Sequence, residues 1–408
     1  MGLMMNTKTK IQLSVMMFLE FFVWGAWYVT LGTYLGKGMG MSGDVIGKAY
    51  STMPWGALIA PFFVGMIADR FFSAQKILGV LHLLGGVFLY LTANAQSSGE
   101  IFWYLLIYSI CYNPTLALIN TISFHQMQNT EKQFPAIRVL GTIGWIVAGL
   151  LIGFMKIEDK NLPLLIAAGA SIVLGIFSFF LPTTPPASAG QKVSINDILG
   201  VKAWQLLKDG SFAVFIISAL LICIPLTFYY SFTNLFLNEI GVSNAAGKMT
   251  LGQISETLFM LAIPFFFTRL GIKKMLLVAI LAWGVRYALF AYGNSGPVVG
   301  LYYIGIALHG VCYDFFFVIG QIYVGKRAPQ QIQASAQGLF TLVTYGVGMM
   351  LGARASGLVA EHYQIIENGQ ITGHHWTSIW LVPAIMAVAV SVFLGLFFRE
   401  NNIPKESN

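Results

Sequence analysis

Charge is what this sequence has least of. Of its 408 residues only 10% are Asp, Glu, Lys or Arg, while 57% are hydrophobic, and no water-facing globular surface can be built from that ratio. Cysteine is scarce too. Cys111, Cys223 and Cys312 all fall inside apolar stretches at no metal-like spacing, so they read as small hydrophobic residues and say nothing about redox compartment. The chain also lacks a metal-ligand set, a nucleophile elbow and a phosphate-cradling loop, which sets aside a membrane-embedded enzyme. No cofactor and no bound metal are expected. His362, His374 and His375 between Glu361 and Trp376 find no carboxylate or cysteine at a convincing spacing, and a solvated loop is expected there. The net charge of +7 does not point to nucleic acid, because the basic residues are scattered along short loops rather than clustered with aromatics.

Long apolar runs are abundant. Ile11 to Leu35, Val45 to Ala68, Ile77 to Ala95 and Pro163 to Leu181 are each long enough, at about 1.5 Å per residue, to cross a hydrocarbon core ~30 Å thick. About twelve such runs, six per half, predict an all-α membrane protein. The first is too long for a signal-peptide core and is expected to remain as the first span. Most lysines and arginines fall on one side if both termini are cytoplasmic, with Lys37, Lys48, Lys156, Lys160 and Lys248 opposite, so the positive-inside rule sets that orientation. The one substantial polar interruption divides the chain into a bundle over 1–181, a cytoplasmic linker over 182–210 and a second bundle over 211–408. Within the linker, Ser194 or Asn196 could cap a short amphipathic helix bearing Ile198, Leu199, Val201, Trp204 and Leu207.

The two halves repeat one another. Cys111-Tyr112-Asn113 returns as Cys312-Tyr313-Asp314 about half a chain later, Pro61-Phe62-Phe63 as Pro264-Phe265-Phe266, and Gly149 with Gly153 as Gly348 with Gly352. A duplicated membrane unit is the mark of a transporter, whose substrate is expected near the bilayer midplane between halves that rock. Glycine, with 43 residues, suits helices that pack closely.

Charge within a span is costly and needs a partner or a task, and the intramembrane candidates are Glu20, Glu256, Asp314, Arg138, Arg286 and Arg354. Arg138, Thr142 and Trp145 share one helical face, offering a charge, a hydroxyl and an aromatic plane. Gln253 and Glu256, three apart, could pair with sugar hydroxyls or base edges, though interhelical polar contacts would use the same residues. Thr227, Tyr230 and Asn234 form a further stripe. His309 and Tyr313 bring an imidazole and a phenol beside Asp314, with a histidine satisfied by a neighbouring carbonyl as the plainer reading of His309. Burial disfavours a charged carboxylate, which suits a proton carrier. Asp314 is the first choice because its counterpart in the other half is neutral Asn113, with Glu256 and Glu20 behind it. An ion pair with an arginine is the structural alternative for Asp314 and for Glu20.

Gly65-Met66-Ile67-Ala68-Asp69-Arg70, echoed weakly by Thr268-Arg269-Leu270-Gly271, resembles the cytoplasmic loop signature of the major facilitator superfamily, which implies that Asp69 and Arg70 form a conformational latch. A narrower resemblance runs through Trp24-Gly25-Ala26-Trp27, Asn113 to Ser123, Phe134 to Arg138 with Gly141 to Gly144, Gln253 to Leu258, Arg286 to Gly293, Asp314-Phe315-Phe316 and Ala334 to Gly338. These blocks are similar to the nucleoside:proton symporter family, of nucleoside permease G type. The resemblance implies uptake of purine and pyrimidine nucleosides with protons across a bacterial inner membrane, by a chain taken as a monomer in the lipid bilayer. The better-known members carry amides where Thr227 and Tyr230 align, so base recognition is expected to differ here. A proton-linked sugar or oligosaccharide symporter is the runner-up.

Overall fold

Residues 6–63, 72–185, 201–293, 296 and 298–400 are described by the structure, a computed structural model. Asp69 and Arg70, and the linker segment 186–200 with its Ser194 or Asn196 cap, lie outside the described residues. Nine of the described helices are long and apolar enough to cross a membrane. One of them, Ala245–Tyr292, is two spans meeting at Gly271; Gly43–Phe63 and the shorter Leu162–Ser178 bring the spans to twelve. The chain divides into two compact units, Met1–Met39 with Lys48–Val193, and Gly40–Gly47 with Ser194–Asn408.

In the first unit α1 is Thr7–Trp27, α2 Gly43–Phe63, α3 Ala74–Ala93, α4 Ser98–His125, α5 Thr130–Met155 and α6 Leu162–Ser178. The first turn of α2, up to Gly47, is grouped with the second unit. Side-chain caps set several starts: Ser97 and Glu100 make a reciprocal capping box on α4, and Asn129 accepts from the Lys132 amide on α5. Glycine decides how closely α1 and α5 approach. A Cβ on Gly25 would lie 3.0 Å from the Trp145 Cα, and one on Gly144 would strike the Phe18 backbone. Leu13, Met16, Met17, Leu78, Ile119, Ile122 and Leu174 fill the core between α1, α3, α4 and α6.

In the second unit α7 is Gly210–Glu239, α8 Ala245–Tyr292, α9 Gly300–Arg327, α10 Ser335–His362 and α11 Trp376–Phe397. The end of the linker, Val201–Lys208, is a 3₁₀ helix, not an α-helix, and Trp204 is exposed on it. Asp209 caps α7 through the Phe212 amide at 2.9 Å and pairs with Arg327 at the end of α9. Its carboxyl lies below the usual range: burial pushes it up, but hydrogen bonds from the Phe212 and Ser211 amides and the Arg327 guanidinium outweigh that. Gly271 breaks α8 with φ 68 and ψ 179, a conformation only glycine adopts freely, and the Glu400 carboxylate accepts from the Ile272 and Lys273 amides that open the second limb. On α10, Arg354 pairs with Asp44 of the Gly40–Gly47 segment.

The segment expected to be a solvated loop is a hairpin, β1 (Gln364–Glu367) against β2 (Gln370–His374). Its turn, Asn368-Gly369, has positive φ at both residues, as a two-residue hairpin requires. Glu239 at the end of α7 accepts from His374 Nδ1 at 2.9 Å and Trp376 Nε1 at 2.8 Å, which fixes the hairpin base. Among the described residues no group of three His, Cys, Asp or Glu could hold a metal ion.

Candidate functional site

The polar residues of the second unit gather on α7, α8 and α9, at the stretch where α9 is least regular. α9 is interrupted at Leu308 and passes into a π-helical turn over Asp314–Val318, a local widening that often marks a functional position. Pro225 lies inside α7, and the Tyr287 hydroxyl donates to the Pro225 carbonyl.

Arg286 is fully buried and is the organising charge. Its guanidinium lies 3.5 Å over the Tyr229 ring, and Nη1 donates to His309 Nδ1 at 3.0 Å. No carboxylate lies within ion-pair reach of it among the described residues. His309 is therefore held by a guanidinium rather than by a carbonyl. Its ring stacks between Tyr229 and Tyr313, with centroids 5.1 and 5.7 Å away, and meets the edge of Tyr230 at 6.1 Å. His309 Nε2 lies 3.8 Å from Oε2 of Glu256, whose side chain is 29% exposed and so can reach solvent or substrate. Gln253, one turn earlier on α8, is also half-buried.

Asp314 is fully buried, and neither carboxylate oxygen meets a hydrogen-bond partner among the described residues. Neither Arg286 nor Arg354 pairs with it. The neighbouring Tyr313 hydroxyl bonds instead to the Tyr345 hydroxyl on α10. Thr227, Tyr230 and Asn234 share one face of α7 but not one environment. Thr227 donates its single hydroxyl proton to its own helix at Cys223 O, 2.8 Å away, and is buried, so it has no donor left for a ligand. Asn234 is buried with its amide oxygen on Asn238 Nδ2 at 3.2 Å, and Tyr230 alone is half-exposed.

In the first unit Arg138, Thr142 and Trp145 line one face of α5, each half-buried. Arg138 lies 4.2 Å over the Phe21 ring of α1, and Trp145 meets Trp24 edge-on at 5.2 Å. The cation and the aromatic plane thus lie two turns apart along one face of α5. Glu20 is not partnered by an arginine as its sequence alternative had it: its carboxylate Oε2 lies 2.8 Å from His82 Nε2 on α3. The sequence reading passed over His82, Tyr229 and Tyr345. The signal for His82 was Glu20 itself, a buried acid that required a partner.

Helices and sites of this kind define a secondary transporter, and known structures agree. The crystal structure of the nucleoside transporter NupG superposes with a TM-score of 0.89 at 35% identity, covering 97% of this chain and 100% of that one. A bacterial homologue of the lysosomal transporter Spinster shares the fold at 14% identity and a TM-score of 0.71, covering 97% of this chain and 96% of that one. The fold is that of the major facilitator superfamily, twelve helices in two six-helix bundles. The Nucleoside H+ symporter family model matches residues 5–403. The putative nucleoside transporter YegT of Escherichia coli (strain K12) is 46% identical over 97% of this chain and 95% of its own, and the nucleoside permease NupG of the same organism is 37% identical over 97% of both. The chain belongs to the nucleoside:proton symporter family, which is a family of transporters and not of enzymes.

Proposed function

We propose that this protein carries nucleosides, purine and pyrimidine alike, into the cell together with protons across the bacterial inner membrane, by alternating access, as a monomer with both termini cytoplasmic. The observation that carries the proton half is Asp314. Asp314 is buried and its oxygens meet no hydrogen-bond partner among the described residues, a setting that disfavours the ionised form and suits a group that takes up a proton here and releases it where it reaches water. Glu256, half-open beside His309, is placed to feel both the substrate and that proton. For the nucleoside, the candidate ligands are Arg138, Thr142 and Trp145 in the first unit, and Gln253, Glu256, Tyr230 and Tyr313 in the second. Thr227, Asn234 and His309 act from behind them as supports. Asp69 and Arg70 would serve as the latch that the signature implies.

Proteoliposomes with an imposed pH gradient test this reading. Radiolabelled adenosine, cytidine, uridine and inosine should accumulate when the outside is acidic, and unlabelled uridine should compete while disaccharides should not. Competition by a disaccharide but not by uridine would overturn the nucleoside assignment in favour of a sugar symporter.

A further inference from the structure

A second ionisable centre lies wholly within the first unit. Glu20 on α1, His82 on α3, Thr115 on α4 and Ser171 on α6 are all buried, and they close on one another. Glu20 Oε2 lies 2.8 Å from His82 Nε2, and Oε1 lies 2.5 Å from the Thr115 hydroxyl oxygen, which is equally 2.5 Å from the Tyr112 carbonyl oxygen. The Tyr112 hydroxyl donates to the Glu20 main-chain carbonyl at 2.8 Å. Ser171 Oγ lies 2.8 Å from the His82 carbonyl oxygen and 3.1 Å from His82 Nδ1.

Counting donors fixes the protons. Two oxygens 2.8 Å apart need a hydrogen between them, so the Ser171 proton is committed to the His82 carbonyl. Ser171 Oγ can then only accept from Nδ1, which must carry a hydrogen. Nε2 and Oε2 are also at hydrogen-bond distance, so one more proton lies between them. The pair is either imidazolium with carboxylate or imidazole with carboxylic acid. Both hold one proton more than a neutral histidine facing a carboxylate, and where the Thr115 proton goes to the Tyr112 carbonyl, Oε1 carries a further one.

Few other charges face this pair. α1 otherwise bears only Lys8 and Lys10 in its first turns, α3 only Lys76 near its start, and α6 none. α4 brings the phenols of Tyr108 and Tyr112, with Glu100 and His125 at its two ends, and α5 brings Arg138, close enough to act on Tyr112. A lysine or arginine in the place of His82 would keep its charge throughout. An imidazole can change protonation near neutral pH. The partners come from four helices, so a rearrangement that draws α1 from α3 parts Oε2 from Nε2 and removes the reason for the extra proton.

We propose that Glu20 and His82 form a proton-binding site in the first unit, filled in this conformation, which takes up and releases one proton per transport cycle in addition to the Asp314 site. This goes beyond the function proposed above and rests on it only for the cargo. Proton and radiolabelled uridine movements are measured together in proteoliposomes for wild type, Glu20→Gln and Asp314→Asn. Gln keeps a donor toward Nε2 but cannot carry the exchanged proton, so Glu20→Gln should move about one proton fewer per uridine; an unchanged ratio overturns the proposal. ¹⁵N-histidine spectra of wild-type protein, with His82 assigned by the signal lost in His82→Asn, decide it without transport or a folded Glu20 variant. The His82 Nδ1 signal should be that of a protonated nitrogen, and a ring protonated at Nε2 alone overturns the proposal. If wild type moves no uridine, the cargo reading fails while the nitrogen shifts still decide the site. If Asp314→Asn moves as many protons per uridine as wild type, the Asp314 reading fails alone.

Discussion

Arg286 donates to His309 through Nη1 and Nδ1 at 3.0 Å, and because a guanidinium has no acceptor, the imidazole must present its own N–H at Nε2, on the side of Glu256. A fixed cation thus sets the tautomer of a histidine, and the histidine faces a carboxylate that the solvent can reach.

Replacing His309 by Leu removes the imidazole acceptor that Arg286 uses. The stability loss should be about 1–3 kcal/mol, the usual cost of leaving a buried charged donor unsatisfied. His309→Gln, which restores an acceptor, should recover most of it. Melting temperatures of the purified variants in detergent check the order.

Asp314→Asn imitates the protonated acid and cannot release a proton. Nucleoside binding and counterflow exchange should survive, while accumulation driven by a pH gradient should fall to what the remaining proton site supports. Gradient-driven accumulation at the wild-type level would pass the coupling role to Glu256 or Glu20.

Gln253→Ala and Glu256→Gln should each weaken nucleoside binding by roughly tenfold or more, in line with about 1–3 kcal/mol for stranding a ligand's polar group. Calorimetry reads this directly, and unchanged affinity in both variants removes that face of α8 from the site.

Gly271→Ala forces a side chain into a backbone region that glycine alone occupies without strain, at a cost of about 1–3 kcal/mol. Glu400→Gln, which weakens the cap on the same break, should cost less. Thermal unfolding with the two variants side by side checks the ranking.

Asp209 is a carboxylate whose native value is depressed, so its contribution to stability is complete above the unfolded value of about 3.9 and is lost as pH falls through the native value. Wild type should lose apparent stability on acidification below about pH 4 more steeply than Asp209→Asn, whose amide cannot titrate. Parallel acid limbs in the two proteins would show that Asp209 is not the group responsible.

The spans were legible because a hydrocarbon core accepts little else: runs such as Ile77 to Ala95 became α3 within a few residues of where hydropathy put them. Arg286 was visible as a costly charge, but its partner was not, because Arg286 and His309 lie on different helices and meet only through packing. The π-turn at Asp314 leaves no trace in hydropathy, since it changes the backbone and not the apolar pattern. His82 escaped attention because a lone histidine in an apolar helix looks like packing until Glu20 is seen opposite it. The hairpin had an available signal, Asn368-Gly369 between Ile365-Ile366 and Ile371, which the three nearby histidines obscured.

The hairpin is also a handle. Its base is bolted to the ends of α7 and α11 through Glu239, His374 and Trp376, while its tip at Asn368-Gly369 is a closed two-residue turn. A spin label or fluorophore set at that tip would move with those two helices instead of wandering on a tether, so distances measured from it would record helix motion during turnover, frame by frame.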